Sequence, residues 1–177
     1  MQLNDKKFLN TFSISLLVIF GVMVKNGGSQ YYQNRGQPLP DSVFYTGMLF
    51  FVFGWIAVAY MLRRKNKKQS LLSVGSSMGI LLSVGVMMMA KRKNGGIMPR
   101  YAKKFVLVFI ASWLVLGYSI GLYKSKLAMN LGLAGALSVI LSMIITLPWQ
   151  RKNKVIDGPG MGLFVLGWVL VSAGNSV

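Results

Sequence analysis

Histidine and cysteine are both absent from the 177 residues of this chain, and only three acidic residues are present. Without histidine and cysteine, the chain lacks the commonest general base, all thiol chemistry and the usual protein ligands of zinc, copper and haem. The three carboxylates, Asp5, Asp41 and Asp157, lie in tails or predicted loops, where a carboxylate pair is hard to assemble. The sequence therefore predicts a protein that is not an enzyme and has no cofactor or metal site.

Charged residues are also missing from six long apolar stretches, and 54% of all residues are hydrophobic. Each stretch is long enough, as a helix, to cross about 30 Å of hydrocarbon. Lipid cannot satisfy an open sheet edge, so helices are expected rather than strands. We expect an all-α, polytopic, integral membrane protein, with one membrane domain over residues 1–177. Its six predicted transmembrane helices are 8–24, 42–62, 71–90, 105–123, 127–148 and 158–177.

One tryptophan-containing pattern occurs three times, as FVFGWIAVA from Phe51, FIASWLVLG from Phe109 and FVLGWVLVS from Phe164. A basic segment with asparagine precedes each copy, beginning at Lys25, Arg92 and Arg151. These repeats divide the chain into three tandem helical hairpins, approximately residues 1–68, 69–126 and 127–177. Because each unit holds two spans, the three copies should point the same way through the bilayer and hold their tryptophans at similar depth.

Small residues beside the tryptophans and along two further helices predict surfaces for helix packing. A small residue lets a neighbouring helix approach closely, and residues four apart share a helix face. An indole-lined cavity is the alternative for the tryptophans, and the stripes suit either the bundle centre or a self-association surface. The predicted packing residues are Gly54, Trp55, Ser112, Trp113, Gly167 and Trp168 in the repeated motifs, and Gly75, Gly79, Ser83, Ala128, Gly132 and Ala136 in the stripes.

Lysine and arginine number 20 and give the chain a net charge of +17. Near an anionic membrane surface each such cation contributes about 1 kcal/mol of binding free energy. Nucleic acid phosphates could use the same side chains, without sequence specificity. The predicted contacts with lipid or other phosphates are Arg63, Arg64, Lys65, Lys67, Lys68, Lys91, Arg92, Lys93, Arg100, Lys103, Lys104, Arg151, Lys152 and Lys154.

The cations do not fix an orientation, because six spans place 9 of them on the N-terminal side and 11 on the other. Three explanations are open. The third span could fail to cross, which would give 16 cations against 4. The chain could insert in both orientations as antiparallel dimers, or it could have polyanionic or protein partners on both faces. The connector from Lys25 to Asp41, predicted as a loop with paired tyrosines, suits a protein contact.

The tandem tryptophan hairpins, lysine–asparagine turns and scarce acids resemble the small multi-spanning virion membrane proteins of large icosahedral DNA viruses that have an internal lipid membrane. This resemblance implies a minor capsid protein linking a viral inner membrane to its capsid. We therefore expect a structural protein that binds anionic lipid and partner proteins or itself, with no small-molecule substrate. The alternative is a small channel or uncoupled facilitator whose pathway is lined by Ser73, Ser76, Ser77 and Asn130.

Overall fold

The computed structural model describes residues 4–62, 66–94, 98–122, 124–152 and 158–177, and all regular structure in those ranges is α-helical. Five stretches there are long and apolar enough to cross a membrane, which is compatible with an integral membrane protein. They are α1, α2, α3, the continuous segment formed by α4 and α5, and α6. The helices are α1 (Asp5–Asn34), α2 (Asp41–Met61), α3 (Lys67–Lys93), α4 (Arg100–Lys103), α5 (Phe105–Gly121), α6 (Lys126–Lys152) and α7 (Gly158–Ser176).

Polar side chains mark where three of these helices begin. The Asn4 side chain accepts a hydrogen bond from the Lys7 amide at 3.0 Å, and the Asn66 side chain accepts one from the Lys68 amide at 3.0 Å. The Ser125 hydroxyl oxygen accepts from the amide of the third residue after it, also at 3.0 Å. Such caps satisfy amide groups that the first helical turn leaves without a partner.

The first helix is longer than predicted, because α1 continues from the apolar stretch through Lys25, Gly27 and Gly28 to Asn34. The predicted basic turn at Lys25 is therefore wrong, and most of the predicted connector loop is helical. The helix ends at Asn34, and Gly36 just beyond it has φ +67° and donates its amide to the Gln33 carbonyl. This left-handed glycine closes a Schellman-type C-terminus, a conformation that glycine adopts without steric cost.

The long helices pack as a closed ring in chain order. α1 contacts α2, α2 contacts α3, α3 contacts α5, α5 contacts α6, α6 contacts α7, and α7 returns to α1. Neighbours are antiparallel, as the α1–α2 contact illustrates: Gly21 lies against Phe51, whereas Val18 lies against Gly54. At the other interfaces too, the contacting residue pairs show that the two helices run in opposite directions. The alternate helices α2, α5 and α7 are therefore parallel to one another.

The ring has two ends, which differ in the connections they carry. The terminal end holds the start of α1 and the end of α7, where the Asn4 amide donates to the Ser176 carbonyl at 3.3 Å. It also holds the end of α2 and the start of α3. The far end holds the end of α1, the start of α2 and the end of α3. Between the ends, buried apolar side chains fill the inside, among them Val18, Phe51, Val58, Leu62, Ile80, Phe109, Leu116, Ile120, Val139 and Val171.

Candidate functional site

The centre of the ring is filled by the three tryptophans of the repeated motif. Trp55, Trp113 and Trp168 are 1%, 1% and 0% exposed. The ring centroids of Trp55 and Trp113 are 5.5 Å apart, and Trp168 lies 5.3 Å from each of them. Each indole therefore contacts both others, although the three side chains come from three different helices. We call these three residues the indole cluster, and their mutual contact puts the three motifs at one level of the bundle.

The indole N–H groups of the cluster have no conventional hydrogen-bond acceptor within the described part of the chain. Two of the three ring pairs are edge-to-face, with interplanar angles of 75° and 76°, and the third is tilted by 52°. Such contacts bring the hydrogen-bearing edge of one ring to the electron-rich face of the next. An aromatic face can accept a weak N–H hydrogen bond.

The phenylalanine that opens the motif has the same position in two of the copies. Phe51 and Trp55 have ring centroids 6.3 Å apart at 63°, and Phe109 and Trp113 are also 6.3 Å apart, at 66°. Residues four apart lie on one face of a helix, so the phenylalanine extends the aromatic face that carries the tryptophan. Two of the three copies of the motif thus share one local side-chain geometry as well as one sequence pattern.

The small residue before each tryptophan faces the long helix that precedes it in the chain. A Cβ atom on Gly54 would lie 2.8 Å from the Val18 amide nitrogen, so α1 and α2 are in backbone contact there. A Cβ atom on Gly167 would lie 2.8 Å from the carbonyl oxygen of Gly135 on α6. In the second copy of the motif Ser112 occupies this position and packs against Gly79 of α3. The motif therefore places its small residue against the long helix that precedes it in the chain and its tryptophan against the other two tryptophans.

The two predicted small-residue stripes are placed differently. On α6, Ala128 and Ala136 are fully buried, and the Gly132 carbonyl would be 2.5 Å from a Cβ atom on Gly117 of α5. On α3, Gly79 faces α5 and Ser83 is buried. Gly75, by contrast, is exposed, and a Cβ atom there would meet nothing within 4 Å. The α6 stripe thus lies between α5 and α7, whereas the α3 stripe is only partly inside the ring.

The four residues of the predicted conduction pathway do not come together. Ser73, Ser76 and Ser77 are buried on α3, and their hydroxyls donate to helix carbonyls at 2.6 to 3.1 Å. Asn130 is exposed on α6. These two helices are not neighbours in the ring. The serine hydroxyls therefore form their hydrogen bonds with backbone carbonyls, which is the usual arrangement of hydroxyls inside an apolar helix.

Sequence reasoning missed a set of buried polar contacts at the terminal end. The Asn175 side-chain amide donates to the Thr11 hydroxyl oxygen at 2.9 Å, and both residues are 1% exposed. The Gln69 side-chain amide donates to the Ser119 carbonyl at 2.8 Å. The Lys124 ammonium donates to the Asn175 carbonyl at 2.6 Å. Their only signal in the sequence is a polar residue near the end of an apolar run, which does not say which helix lies opposite.

The predicted phosphate-binding cations lie at both ends of the ring. Lys67 and Lys68 are exposed where α3 begins, at the terminal end. At the far end, Lys91 and Arg92 are half-buried, whereas four further cations there, Lys93, Arg100, Lys103 and Lys104, are exposed. Arg63, Arg64, Lys65 and Lys154 lie outside the described residues, as do the side chains of Arg151 and Lys152.

Arg92 has protein partners that the sequence did not predict. Its guanidinium forms an ion pair with Asp41 at the start of α2, and its Cζ atom lies 4.2 Å from the centre of the Phe44 ring. The Tyr45 ring is also within 5.5 Å. Ion pairs as exposed as this one contribute little to stability, but together with the ring contact the pair fixes where the Arg92 side chain lies. Arg92 therefore joins α2 to α3 at the far end.

No protein-family model, curated protein or solved structure matches this chain. The residues of interest are therefore those that the geometry of the ring brings together. They form three groups: the indole cluster at the centre, the buried polar contacts at the terminal end, and the cations at both ends.

Proposed function

We propose that this chain is a non-catalytic structural protein of a lipid membrane, which packs there as a closed bundle and binds anionic lipid and partner proteins through its basic ends. The observation that carries this proposal is the indole cluster. A channel or facilitator needs a lumen along its axis, and here the centre of the ring holds three mutually contacting side chains. A filled, uncharged centre suits a scaffold better than a pathway.

The proposal includes six crossings, arranged as three tandem hairpins. α7 supports the sixth crossing, since it has 19 residues and packs against α6 and α1 to complete the ring. The hydrogen bond between the Asn4 amide and the Ser176 carbonyl brings the start of α1 and the end of α7 to the same end of the bundle. An even number of crossings requires this arrangement. The same contact makes a failure of α3 to cross less compatible with the ring.

Cations at both ends support partners on both faces of the membrane. Lys67 and Lys68 at the terminal end and Arg100, Lys103 and Lys104 at the far end are exposed. Exposed cations at each surface attract anionic headgroups or acidic protein surfaces there. The resemblance to virion membrane proteins extends the proposal to a lipid layer enclosed by a capsid. Cross-linking in the native membrane tests this extension: we expect partners on both faces, and partners on one face alone would contradict it.

Solute flux in liposomes tests the proposal against its channel alternative. We expect purified protein, reconstituted at a range of densities, to add no ion or small-solute flux to that of protein-free liposomes, because the indole cluster closes the axis. Liposomes containing a known pore former serve as the positive control. Selective conduction that scales with protein density would overturn the structural proposal.

Binding to anionic vesicles tests the role of the basic ends. We expect replacement of Lys67 and Lys68 by glutamine to weaken binding of the detergent-solubilised protein by up to about fivefold per cation. Both side chains are exposed, so the unfolding free energy should change little. The variant with Arg100 and Lys103 replaced by glutamine tests the other end in the same way. Unchanged binding in both double variants would contradict a role for these cations.

A further inference from the structure

The exposed tyrosines of the described residues all lie towards one end of the ring or the other. Tyr60 and Tyr118 are on the terminal side of α2 and α5. Tyr45 near the start of α2 and Tyr101 on α4 are at the far end, as is Tyr31 near the end of α1. We call Tyr60 and Tyr118 the terminal belt, and Tyr45 and Tyr101 the far belt.

The indole cluster gives the levels of the two belts, because it holds the parallel helices α2 and α5 side by side. Each tyrosine of the terminal belt follows the tryptophan of its own helix by five residues, which is about 7.5 Å along the axis. Tyr45 precedes Trp55 by ten residues, which is about 15 Å. Tyr101 precedes Trp113 by twelve residues, which is about 18 Å. The belts therefore lie on opposite sides of the cluster and at unequal distances from it.

Exposed side chains between the belts are apolar. This holds on α2 from Leu49 to Ile56 and on α5 from Leu107 to Val115. The exposed phenylalanines of the described residues, Phe20, Phe50 and Phe53, also belong to this middle region, where the Phe20 and Phe50 ring centroids are 5.0 Å apart. Exposed rings with a hydroxyl thus lie at the two edges, and exposed rings without one lie between. A bilayer interface favours this separation, because a tyrosine ring is apolar and its hydroxyl needs a polar partner.

Polar contacts between helices lie near the same two levels. On the terminal side, the Ser119 carbonyl that accepts from Gln69 is one residue past Tyr118. On the far side, the Arg92 Cζ atom lies 5.5 Å from the centre of the Tyr45 ring. The change from apolar to polar therefore occurs at similar levels inside the ring and on its outer surface.

Two lysines lie slightly inside the far belt. Lys103 and Lys104 are exposed and follow Tyr101 by two and three residues. A lysine reaches headgroups from such a position, because its flexible stem lies along apolar surface while its ammonium group extends towards water. These lysines therefore fit the same interface as Tyr101.

We infer that the two belts lie at the two interfaces of one bilayer and hold the bundle at that depth, with the tyrosine hydroxyls among the headgroups. This inference rests on the proposed membrane function and gives the position of the bundle in the lipid. Along α2 the belts are about 22 Å apart, which is the scale of the about 30 Å of hydrocarbon in a bilayer. The middle of the bilayer then falls near Phe53, and the indole cluster lies nearer the terminal side.

A bilayer centred on the indole cluster is the alternative. It would extend about 15 Å to each side of the cluster, so the terminal belt would lie about 7.5 Å inside the hydrocarbon. The Tyr60 and Tyr118 hydroxyls would then be exposed to acyl chains, where a polar group without a partner is costly. A bilayer centred near Phe53 brings both hydroxyls towards the headgroups.

Depth measurements along α2 distinguish the two positions. The chain contains no cysteine, so one introduced cysteine carries one spin label without background. In vesicles of phosphatidylcholine and phosphatidylglycerol, collisions of the label with oxygen report hydrocarbon, and collisions with a water-soluble nickel complex report water. Positions three and four apart share a helix face, so one exposed face supplies all the labelling sites. They are Tyr45, Leu49, Phe53, Ile56 and Tyr60.

Belts at the two interfaces predict a symmetric depth profile. The Phe53→Cys label should be the deepest, and the Leu49→Cys and Ile56→Cys labels should be equally deep. The labels at Tyr45 and Tyr60 should be the shallowest. A bilayer centred on the cluster predicts instead that the Ile56 label is the deepest and that the Leu49 label is about 7 Å shallower. That second profile would overturn the inference.

Removal of the terminal belt tests whether the tyrosines hold the bundle at this depth. Combined Tyr60→Leu and Tyr118→Leu substitutions keep the surface apolar and remove both hydroxyls, so the terminal side should sink into the hydrocarbon. We expect the Ile56 label to become deeper than the Leu49 label, with a shift of at least about 1.5 Å. Phe53→Leu is the matched control and should leave the profile symmetric. An unchanged profile in the tyrosine variant would overturn the anchoring role.

The outcomes separate this inference from the proposed function. A Phe53 label as accessible to nickel as one at the exposed Gln33, near the end of α1, would overturn the membrane proposal itself. A profile with its maximum at Ile56 would overturn the belts and leave the membrane proposal standing. Selective conduction in liposomes would overturn the structural role, whereas a symmetric profile would still place the belts at the interfaces.

Discussion

The α6–α7 and α2–α3 interfaces both contain glycine, and they differ completely in how closely the helices approach. A Cβ atom on Gly135 would lie 2.7 Å from the Gly167 carbonyl oxygen, and one on Gly167 would lie 2.8 Å from that of Gly135. In the α2–α3 interface, a Cβ atom on Gly85 would meet nothing within 4 Å. Glycine therefore permits close packing only where it faces the backbone of the neighbouring helix.

The residues opposite each glycine explain the difference. Gly135 and Gly167 face each other, so the two backbones touch. Met48 and Val52 of α2 line one groove together with Gly85, and a Cβ atom on Gly85 would reach neither of them. For two helices to approach closely, a small residue on one helix must therefore face a small residue on the other. The closed interface stabilises the ring, whereas the other leaves an open groove at its surface.

The largest effect is expected at the indole cluster, on which both interfaces depend because α2 and α7 each contribute a tryptophan to it. Trp113→Ala should lower the unfolding free energy by about 3–5 kcal/mol, since it removes a fully buried ring and leaves a cavity. Unfolding in mixed micelles measures this. Phe53→Ala is the matched control, because Phe53 is 62% exposed and should cost little. Equal losses of unfolding free energy in the two variants would contradict a stabilising role of the indole cluster.

The comparison of the two interfaces is sharpened by adding one methyl group to each. Gly135→Ala places a Cβ atom against the α7 backbone and should cost about 1–3 kcal/mol of unfolding free energy. Gly85→Ala has open space and should be neutral or stabilising by up to about 1 kcal/mol, because alanine is the better helix former. The same unfolding measurement compares them. If both variants lost equal stability, the proposed difference between the interfaces would be wrong.

A smaller effect is expected where α1 meets α7 through side chains. Thr11→Val removes the hydrogen bond from Asn175 and should cost about 0.6 kcal/mol and at most about 1.7 kcal/mol, the average and the maximum for polar contacts between membrane helices. Thr46→Val on α2 is the control, since Thr46 is exposed. The unfolding free energies of the two variants should differ by that amount. A loss equal to that of the control would mean that this contact does not help to close the ring.

The helices themselves were predictable, because a long apolar stretch without charges can be recognised without knowing the rest of the fold. The predicted span 42–62 differs by one residue at each end from α2 (Asp41–Met61), and the predicted span 71–90 lies within α3 (Lys67–Lys93). A helix that crosses the hydrocarbon must be long and apolar, so a long stretch without charges is a strong signal for a membrane-spanning helix. Neighbouring helices around the ring are antiparallel, as expected for helices that are joined by short connections.

The end of α1 could not be predicted, because a local signal pointed the other way. Gly27 and Gly28 favour a turn by propensity, yet both are helical. Gly28 lies so close to α2 that a Cβ atom there would be 2.5 Å from the Val43 side chain. The glycine therefore serves a tertiary contact, and tertiary packing overrides its helix propensity. The helix ends only at Asn34, and Gly36 just beyond it adopts the left-handed conformation.

The side-chain contacts between different helices of the ring could likewise not be predicted from the sequence. The repeat predicts that three tryptophans lie at similar depth, but it does not specify that their rings touch. The contacts of Thr11 with Asn175 and of Arg92 with Asp41 depend on which helices become neighbours. That order is fixed by closure of the ring, and one polar residue on an apolar helix does not determine it. The groove beside Gly85 also exists only in the packed structure.

Double-mutant cycles among Trp55, Trp113 and Trp168 test the central claim most directly, because the three residues are far apart in sequence and can be coupled only through the closed ring. Each tryptophan is replaced by leucine singly and in pairs, and the unfolding free energy is measured in mixed micelles. Mutual ring contacts predict a coupling of about 0.5–1.5 kcal/mol for every one of the three pairs. Additive losses for any pair would contradict an indole cluster at the centre of the ring.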